Sequence, residues 1–225
     1  MKQNIKWISV LCFCVVVAVS CKKAAYLTDG GLHDAKTPLT TLEYLKQHSW
    51  KSFDTIVLLI EKYNLQNEVN SAATVFAVTD YSVKRYMDMR QAQLRQINEN
   101  LTFTLDSLYK YMTADSVRQY LFDTPITLKN AKLDPDVDEL NSKGNTKCAF
   151  SKVLLTTAPQ NYLQFTSSPT YSLYYTAVKG ALDVPGIVSP AGEIDIKVQC
   201  QTTGSETSSG SILHVLSNQH TFARF

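Results

Sequence analysis

The sequence predicts an α+β domain, and three observations carry that prediction. Apolar residues recur at helical spacing through the first half of the chain. They alternate at strand spacing through the second half. Helices and strands are segregated rather than interleaved, which argues against a parallel α/β sheet. No internal repeat is present. A length of 225 residues, 44% hydrophobic and 19% charged, suits one globular domain with a short tail. Such a chain is long enough to bury a core without disulfides or metals.

The helical elements come first. Thr41 is placed to cap a helix beginning near Leu42. Phe53, Ile56, Val57 and Ile60 fall at i, i+3, i+4 and i+7, which marks one buried stripe of a helix over 51–63. A short buried strand is expected over 74–79. Asp80 or Ser82 then caps a long helix reaching about residue 100, with Val83, Tyr86, Met87, Leu94, Ile97 and Leu101 on its inner face. Residues 106–122 predict another helical stretch, broken near Thr113 and Ala114, and Pro125 ends it.

The strands follow. Residues 149–157 are rich in branched side chains. Residues 161–166 and 170–178 alternate, and Ser167-Ser168-Pro169 between them predicts a hairpin. Over 193–203, Ile194, Ile196, Val198 and Cys200 point one way, and Asp195, Lys197 and Gln199 the other, as in a half-exposed strand. Residues 204–211 form a Gly/Ser/Thr loop leading into a last strand over 212–216.

The first 20 residues predict an export signal. Lys2 and Lys6 precede an apolar stretch over 7–18 that is too short to span a bilayer comfortably, and small residues lead to Cys21. Ala18-Val19-Ser20-Cys21 reads like a bacterial lipobox, with Ala18 where Leu is usual. Cys21 then accepts lipid, palmitate among the acyl groups; several chains hold a protein on a membrane where one does not. Ordinary cleavage after Ser20 is the alternative. The expected arrangement is a signal peptide over 1–20, a lipid-anchored tether over 21–38 and a globular domain over 39–225. The expected location is the cell envelope, as an outer-membrane lipoprotein on either the periplasmic or the outer face.

Of five cysteines, Cys12 and Cys14 leave with the signal and Cys21 takes lipid. Cys148 and Cys200 remain, and an oxidising compartment allows either a disulfide or two small buried thiols. The net charge is +2, and no Lys/Arg cluster occurs past residue 23, which argues against nucleic-acid binding. Among His33, His48, His214 and His220, no two have metal-ligand spacing with a carboxylate or Cys. Asp134, Asp136 and Asp138 begin like a calcium loop, but Glu139 and Asn145 replace the turn Gly and the closing Glu. Residues 204–211 lack both the Gly-x-Ser-x-Gly elbow and a phosphate-loop ending. No enzymatic constellation, metal site or cofactor site is expected. A hydrolase with dispersed acids is the only catalytic alternative.

Tyr162, Phe165, Tyr171, Tyr174 and Tyr175 crowd the predicted hairpin. Tyr171 and Tyr175 share one strand face and Tyr174 takes the other. These tyrosines predict either core packing or a face that stacks on sugar rings or protein.

Two segments carry a family resemblance. Thr74, Val75, Phe76, Ala77, Thr79 and Asp80 match the first signature of the fasciclin-type domain, Thr-Val-Phe-Ala-Pro-Thr-Asp, with Val78 at the Pro position and Tyr86 or Val83 in the later apolar role. Gly210, Ile212, His214 and Val215 match the second, Asn-Gly-Val-Ile-His-Val-Ile-Asp, with Ser211 and Leu213 as variants and Ser217 where Asp is common. Phe53-Asp54-Thr55-Ile56-Val57 is similar to the family's entry helix. The chain thus resembles a single-domain bacterial fasciclin-like lipoprotein over 39–217, with a central insertion within 128–203. The resemblance implies a helical N-terminal half packed on a β-sheet wedge or sandwich from the C-terminal half. It implies that the two signature strands lie close together in the core and that His214 is hydrogen-bonded within it. It also implies adhesion or ligand binding without catalysis. The Tyr-His pair that the family links with adhesion is missing, since Leu121 follows Tyr120. The expected function is capture of a glycan or protein ligand at the envelope. The alternative is a structural or assembly subunit of an outer-membrane polysaccharide-uptake or envelope complex.

Overall fold

The computed structural model describes residues 36–155 and 169–223. The fold is α+β. Three helices, α1 (Thr41–Gln47), α2 (Asp54–Lys62) and α3 (Gln66–Ser71), lead into β1 (Thr74–Ala77). Three more follow: α4 (Asp80–Ile97), α5 (Leu105–Tyr111) and α6 (Asp115–Arg118). The remaining strands are β2 (Leu121–Phe122), β3 (Lys132–Leu133), β4 (Asp138–Asn141), β5 (Lys147–Leu154), β6 (Tyr171–Ala177), β7 (Ile196–Glu206) and β8 (Ile212–Leu216).

The strands join in a mixed sheet of order β2-β1-β8-β7-β6-β5-β3, with β4 also paired to β5. Towards one end of it β1 and β8 run parallel, in register from Thr74↔Ile212 to Ala77↔Val215. The two segments singled out in the sequence are therefore neighbouring strands. β7 links the halves of the sheet: its first residues pair with β6, and those from Cys200 onward pair with β8. Register shifts fall between Cys200 and Thr202 and between Thr202 and Ser205. Gly204, at φ +77, sits in the second shift. Irregularities of this kind bend a strand and increase its twist.

Local chemistry explains the helix starts. Thr40, not Thr41, caps α1: its hydroxyl accepts from the Glu43 N–H, and the Glu43 carboxylate accepts from the Thr40 N–H at 2.9 Å. Thr41 is instead fully buried, with its hydroxyl 3.0 Å from that of Thr207. Along α4, Ser82, Val83 and Tyr86 are buried, and Met87 and Leu94 pack against the core. Ile97, the last residue of α4, and Leu101, beyond its end, both expected on the inner face, are exposed.

The stretch over 106–122 is not one helix. The Ser116 hydroxyl accepts from the Thr113 N–H, restarting the chain as α6. Leu121 and Phe122 then leave helical geometry to pair with Val75 and Thr74 on the free edge of β1. Tertiary pairing overrides local propensity there.

Strand β5 begins at Lys147, earlier than expected. The predicted partner strand over 161–166, with Tyr162 and Phe165, lies outside the described residues. β6 pairs with β5 from Cys148↔Ala177 to Leu154↔Tyr171 and with β7 from Tyr174 to Ala177. β7 starts at Ile196, leaves Ile194 exposed and runs on through Glu206 into the predicted loop.

The acidic stretch from Asp134 forms ion pairs with lysines. Asp134 accepts from Ser151 and pairs with Lys197. Asp138 pairs with Lys132 at 2.6 Å, and Glu139 with Lys147 at 3.1 Å. The disulfide between Cys148 and Cys200 is absent: both are free, buried thiols. Cys148 lies opposite Ala177, which lies opposite Ile196, so β6 stands between the two cysteine strands. Two strand spacings of about 4.8 Å, plus four residues along β7, exceed the roughly 7 Å limit for a bridge.

Candidate functional site

The polar residues of the first signature segment are occupied in holding the backbone. The Thr74 hydroxyl donates to the Thr124 carbonyl and accepts from the Ile126 N–H, both at 2.8 Å. The Thr79 hydroxyl donates to the Asn218 side chain at 2.9 Å. The Asp80 carboxylate accepts from the N–H groups of Asp54 and Thr55, at 3.1 and 2.8 Å. It thus caps the start of α2 rather than its own helix, meeting the positive end of the α2 dipole. The Asp80 N–H donates to the Ser52 carbonyl at 2.8 Å, so one residue ties the start of α4 to the loop before α2. Asp80→Ala is expected to cost about 1–2 kcal/mol, the usual worth of a capping side chain. Urea unfolding measures this, and Asp80→Asn should recover part of it.

The second segment is equally structural. Gly210 turns at φ +83, a left-handed conformation that favours glycine. The Ser211 hydroxyl donates to the Ala72 carbonyl at 2.6 Å. His214 is fully buried, with its ring stacked on Phe76 at 4.9 Å. Its Nδ1 accepts from the Gly204 N–H at 3.2 Å, which leaves Nε2–H to donate to the Ile126 carbonyl at 2.9 Å. Burial lowers its pKa to about 4, so the ring is a neutral cross-brace with its tautomer set by its partners.

The tyrosines of β6 divide. Tyr175 is fully buried among Phe76, Phe150, Phe122 and Tyr120, so it cannot contact a ligand. Its hydroxyl lies 3.2 Å from the Cys148 thiol, whose pKa burial pushes up to about 11. Tyr171 and Tyr174 are half-buried, each with a lysine ammonium over its ring: Lys152 at 5.5 Å and Lys197 at 5.1 Å. A Tyr–His pair does exist, assembled in space rather than in sequence. The Tyr120 hydroxyl accepts from the Ala223 N–H at 3.1 Å and is hydrogen-bonded to His220 Nε2 at 2.7 Å.

The exposed aromatic residues are elsewhere. Trp50 is 84% exposed and Tyr81 is 61% exposed. They line a groove of about 760 Å³ that also takes in Asp80, Gln201, Thr202 and Asn218. Lys51 follows Trp50 in a left-handed turn at φ +47, closed by its N–H to the His48 carbonyl at 2.8 Å. The His48 ring meets Phe53 at 5.0 Å, Tyr44 at 5.9 Å and Trp50 at 6.3 Å, all edge-on. Trp50 is therefore propped on an aromatic cluster, and Asp80 fixes the loop that carries it. Tyr81 faces outward from the first turn of α4. Flat apolar faces beside amide, hydroxyl and carboxylate groups suit stacking on a sugar ring and hydrogen bonding to its hydroxyls.

The sequence held one signal for this groove. Trp50 is the sole tryptophan after the predicted signal peptide, and it lies off the apolar stripe of α2. Among the described residues no group of His, Cys, Asp and Glu is placed to hold a metal ion. Among them, too, no helix is long and apolar enough to cross a membrane. Compared with known proteins, the chain matches no protein-family model and no curated protein.

Proposed function

We propose that this is a non-catalytic binding protein of the cell envelope, lipid-anchored through Cys21, that captures a glycan in the Trp50–Tyr81 groove. The observation that carries this reading is the pair of exposed rings beside Asp80, Gln201 and Asn218. Among the described residues, the groove's one carboxylate and its one imidazole are already in structural use, with Asp80 capping α2 and His48 packed among rings. That favours binding over turnover. A fasciclin-like fold is supported by the parallel pairing of β1 with β8 and by the backbone roles of Thr74, Asp80 and His214.

The test is a glycan-array screen of the soluble chain from Lys22, with Trp50→Ala and Tyr81→Ala beside it. Binding to one sugar class is expected to weaken at least tenfold in each variant, a loss of about 1.4 kcal/mol. Sugar binding unaffected by both changes overturns the site.

A second reading, a structural or assembly subunit of an envelope complex, is favoured by one feature. The loop between β6 and β7 exposes Val184, Ile187 and Val188, the last at 95%. Asp183 and Asp195 clasp its base, each carboxylate accepting the other's N–H. An array without hits from folded protein shifts the weight to this reading, and cross-linking from that loop in intact cells follows.

A further inference from the structure

The Trp50–Tyr81 groove has a neighbour. A second groove of about 710 Å³ is lined by Arg85, Tyr174, Lys179, Lys197, Gln199 and Ser217, among others. Three stretches of chain serve both. Tyr81 lines the first and Arg85 the second, four residues apart and so on one face of α4. Gln201 lines the first and Gln199 the second. Asn218 lines the first, and its neighbours Ser217 and Gln219 line the second. These three stretches set the two grooves side by side, as the aromatic end and the basic end of one candidate track.

The basic end is a local feature, since the whole chain carries only +2. Among the described residues, three cations line that groove with one carboxylate, that of Asp195. Both Asp195 oxygens are engaged, by the N–H groups of Lys179 and Asp183, each at 2.8 Å. Lys197 is held by Asp134 and lies over the Tyr174 ring. Among the described residues, Arg85 and Lys179 have no carboxylate partner. Arg85 is exposed and Lys179 half-exposed, so neither is buried in a structural role. His220, at the edge of the groove, is kept neutral by burial and adds no charge.

We propose that the track takes an acidic glycan. This rests on the glycan reading above and narrows it. Sugar rings stack on Trp50 and Tyr81. A carboxylate or sulfate further along the same chain is held by Arg85 and Lys179, and Tyr174 offers its ring beside them. A guanidinium presents paired N–H donors that match the two oxygens of either anion. Because both cations reach solvent, the anion contact should be salt-sensitive.

The experiment is an array holding neutral, uronate-bearing and sulfated members, read with wild type, Trp50→Ala and the double variant Arg85→Ala/Lys179→Ala. Hits are expected among acidic members only, and the uronate and sulfate arms identify the anion. Each variant should weaken them at least tenfold, and 0.5 M salt should weaken wild-type binding by a similar factor. Neutral hits, or acidic hits indifferent to the double variant, overturn this inference and leave the glycan reading standing. Acidic hits that need Arg85 and Lys179 but not Trp50 overturn the shared track and make the basic groove a separate anion site. No hits from folded protein overturn both.

Discussion

Phe76→Ala should lower the unfolding free energy by about 4 kcal/mol, within the range for truncating a buried phenylalanine. Phe76 stands on β1 at the parallel junction with β8 and is almost fully buried. Its ring stacks on Phe150 at 5.1 Å and on His214 at 4.9 Å. It meets Phe122 edge-on at 5.7 Å and Tyr175 at 5.3 Å. These neighbours come from β2, β5, β6 and β8, so removing the ring opens a cavity that no single strand can collapse into. Aromatic pairs add about 0.5–1.5 kcal/mol beyond area burial, and several are lost together. His214 also loses the surface that orients it. A domain stable by about 5–15 kcal/mol keeps little after such a loss. The measurement is urea unfolding with an unchanged m-value. Phe76→Leu should cost about half as much, since it keeps most of the volume and loses the stacking. Trp50→Ala should fall within about 0.5 kcal/mol of wild type, as its ring is exposed. A cost below about 1.5 kcal/mol for Phe76→Ala would show that this cluster does not organise the core.

What the sequence reveals follows from what periodicity measures. Phe53, Ile56, Val57 and Ile60 are all buried, because a helical stripe reports burial relative to its own backbone. The alternation of Val198 with Lys197 and Gln199 is legible for the same reason. Periodicity carries no information about partners. It places Tyr175 and Tyr174 on opposite faces of β6, but both edges of β6 are paired, and nothing local says which face is the core. Leu121 and Phe122 read as a helix because β1, whose edge captures them, is nearly 50 residues away. The partner of Tyr120 is 100 residues further on and invisible to a motif that expects His at the next position. The Trp50 groove is assembled from a turn, the start of α4, a bulged strand and the segment after β8, and none of these signals the others.

Acid should destabilise the protein well before its carboxylates titrate, and two buried histidines are the cause. An exposed histidine in the unfolded chain takes a proton near pH 6.5. In the fold, burial keeps His214 and His220 neutral down to about pH 4. Between those values the unfolded chain binds more protons than the folded one, so stability falls as the pH falls. From pH 7.5 to pH 5 the loss is roughly 2 kcal/mol for each of these two buried histidines. His214 Nδ1 already accepts a hydrogen bond from the Gly204 N–H, and a proton there would displace that donor. Glu68, held below the usual carboxylate range by its hydrogen bonds to Arg118, adds to the loss only below its ordinary value of 4.5. The window between pH 6.5 and 5 therefore isolates the histidines. His214→Gln will be less stable at neutral pH, because the brace between Gly204 and Ile126 is gone, and that alone would follow from any structural role. The discriminating readout is the slope: proton uptake on unfolding in this window should drop by about one, so the gap between variant and wild type narrows as the pH falls. A gap that stays constant from pH 7.5 to 5 would mean that His214 titrates alike in both states. The ring would then be reached by water or protonated in place, and its part in holding β8 against the 126 segment would have to rest on shape alone.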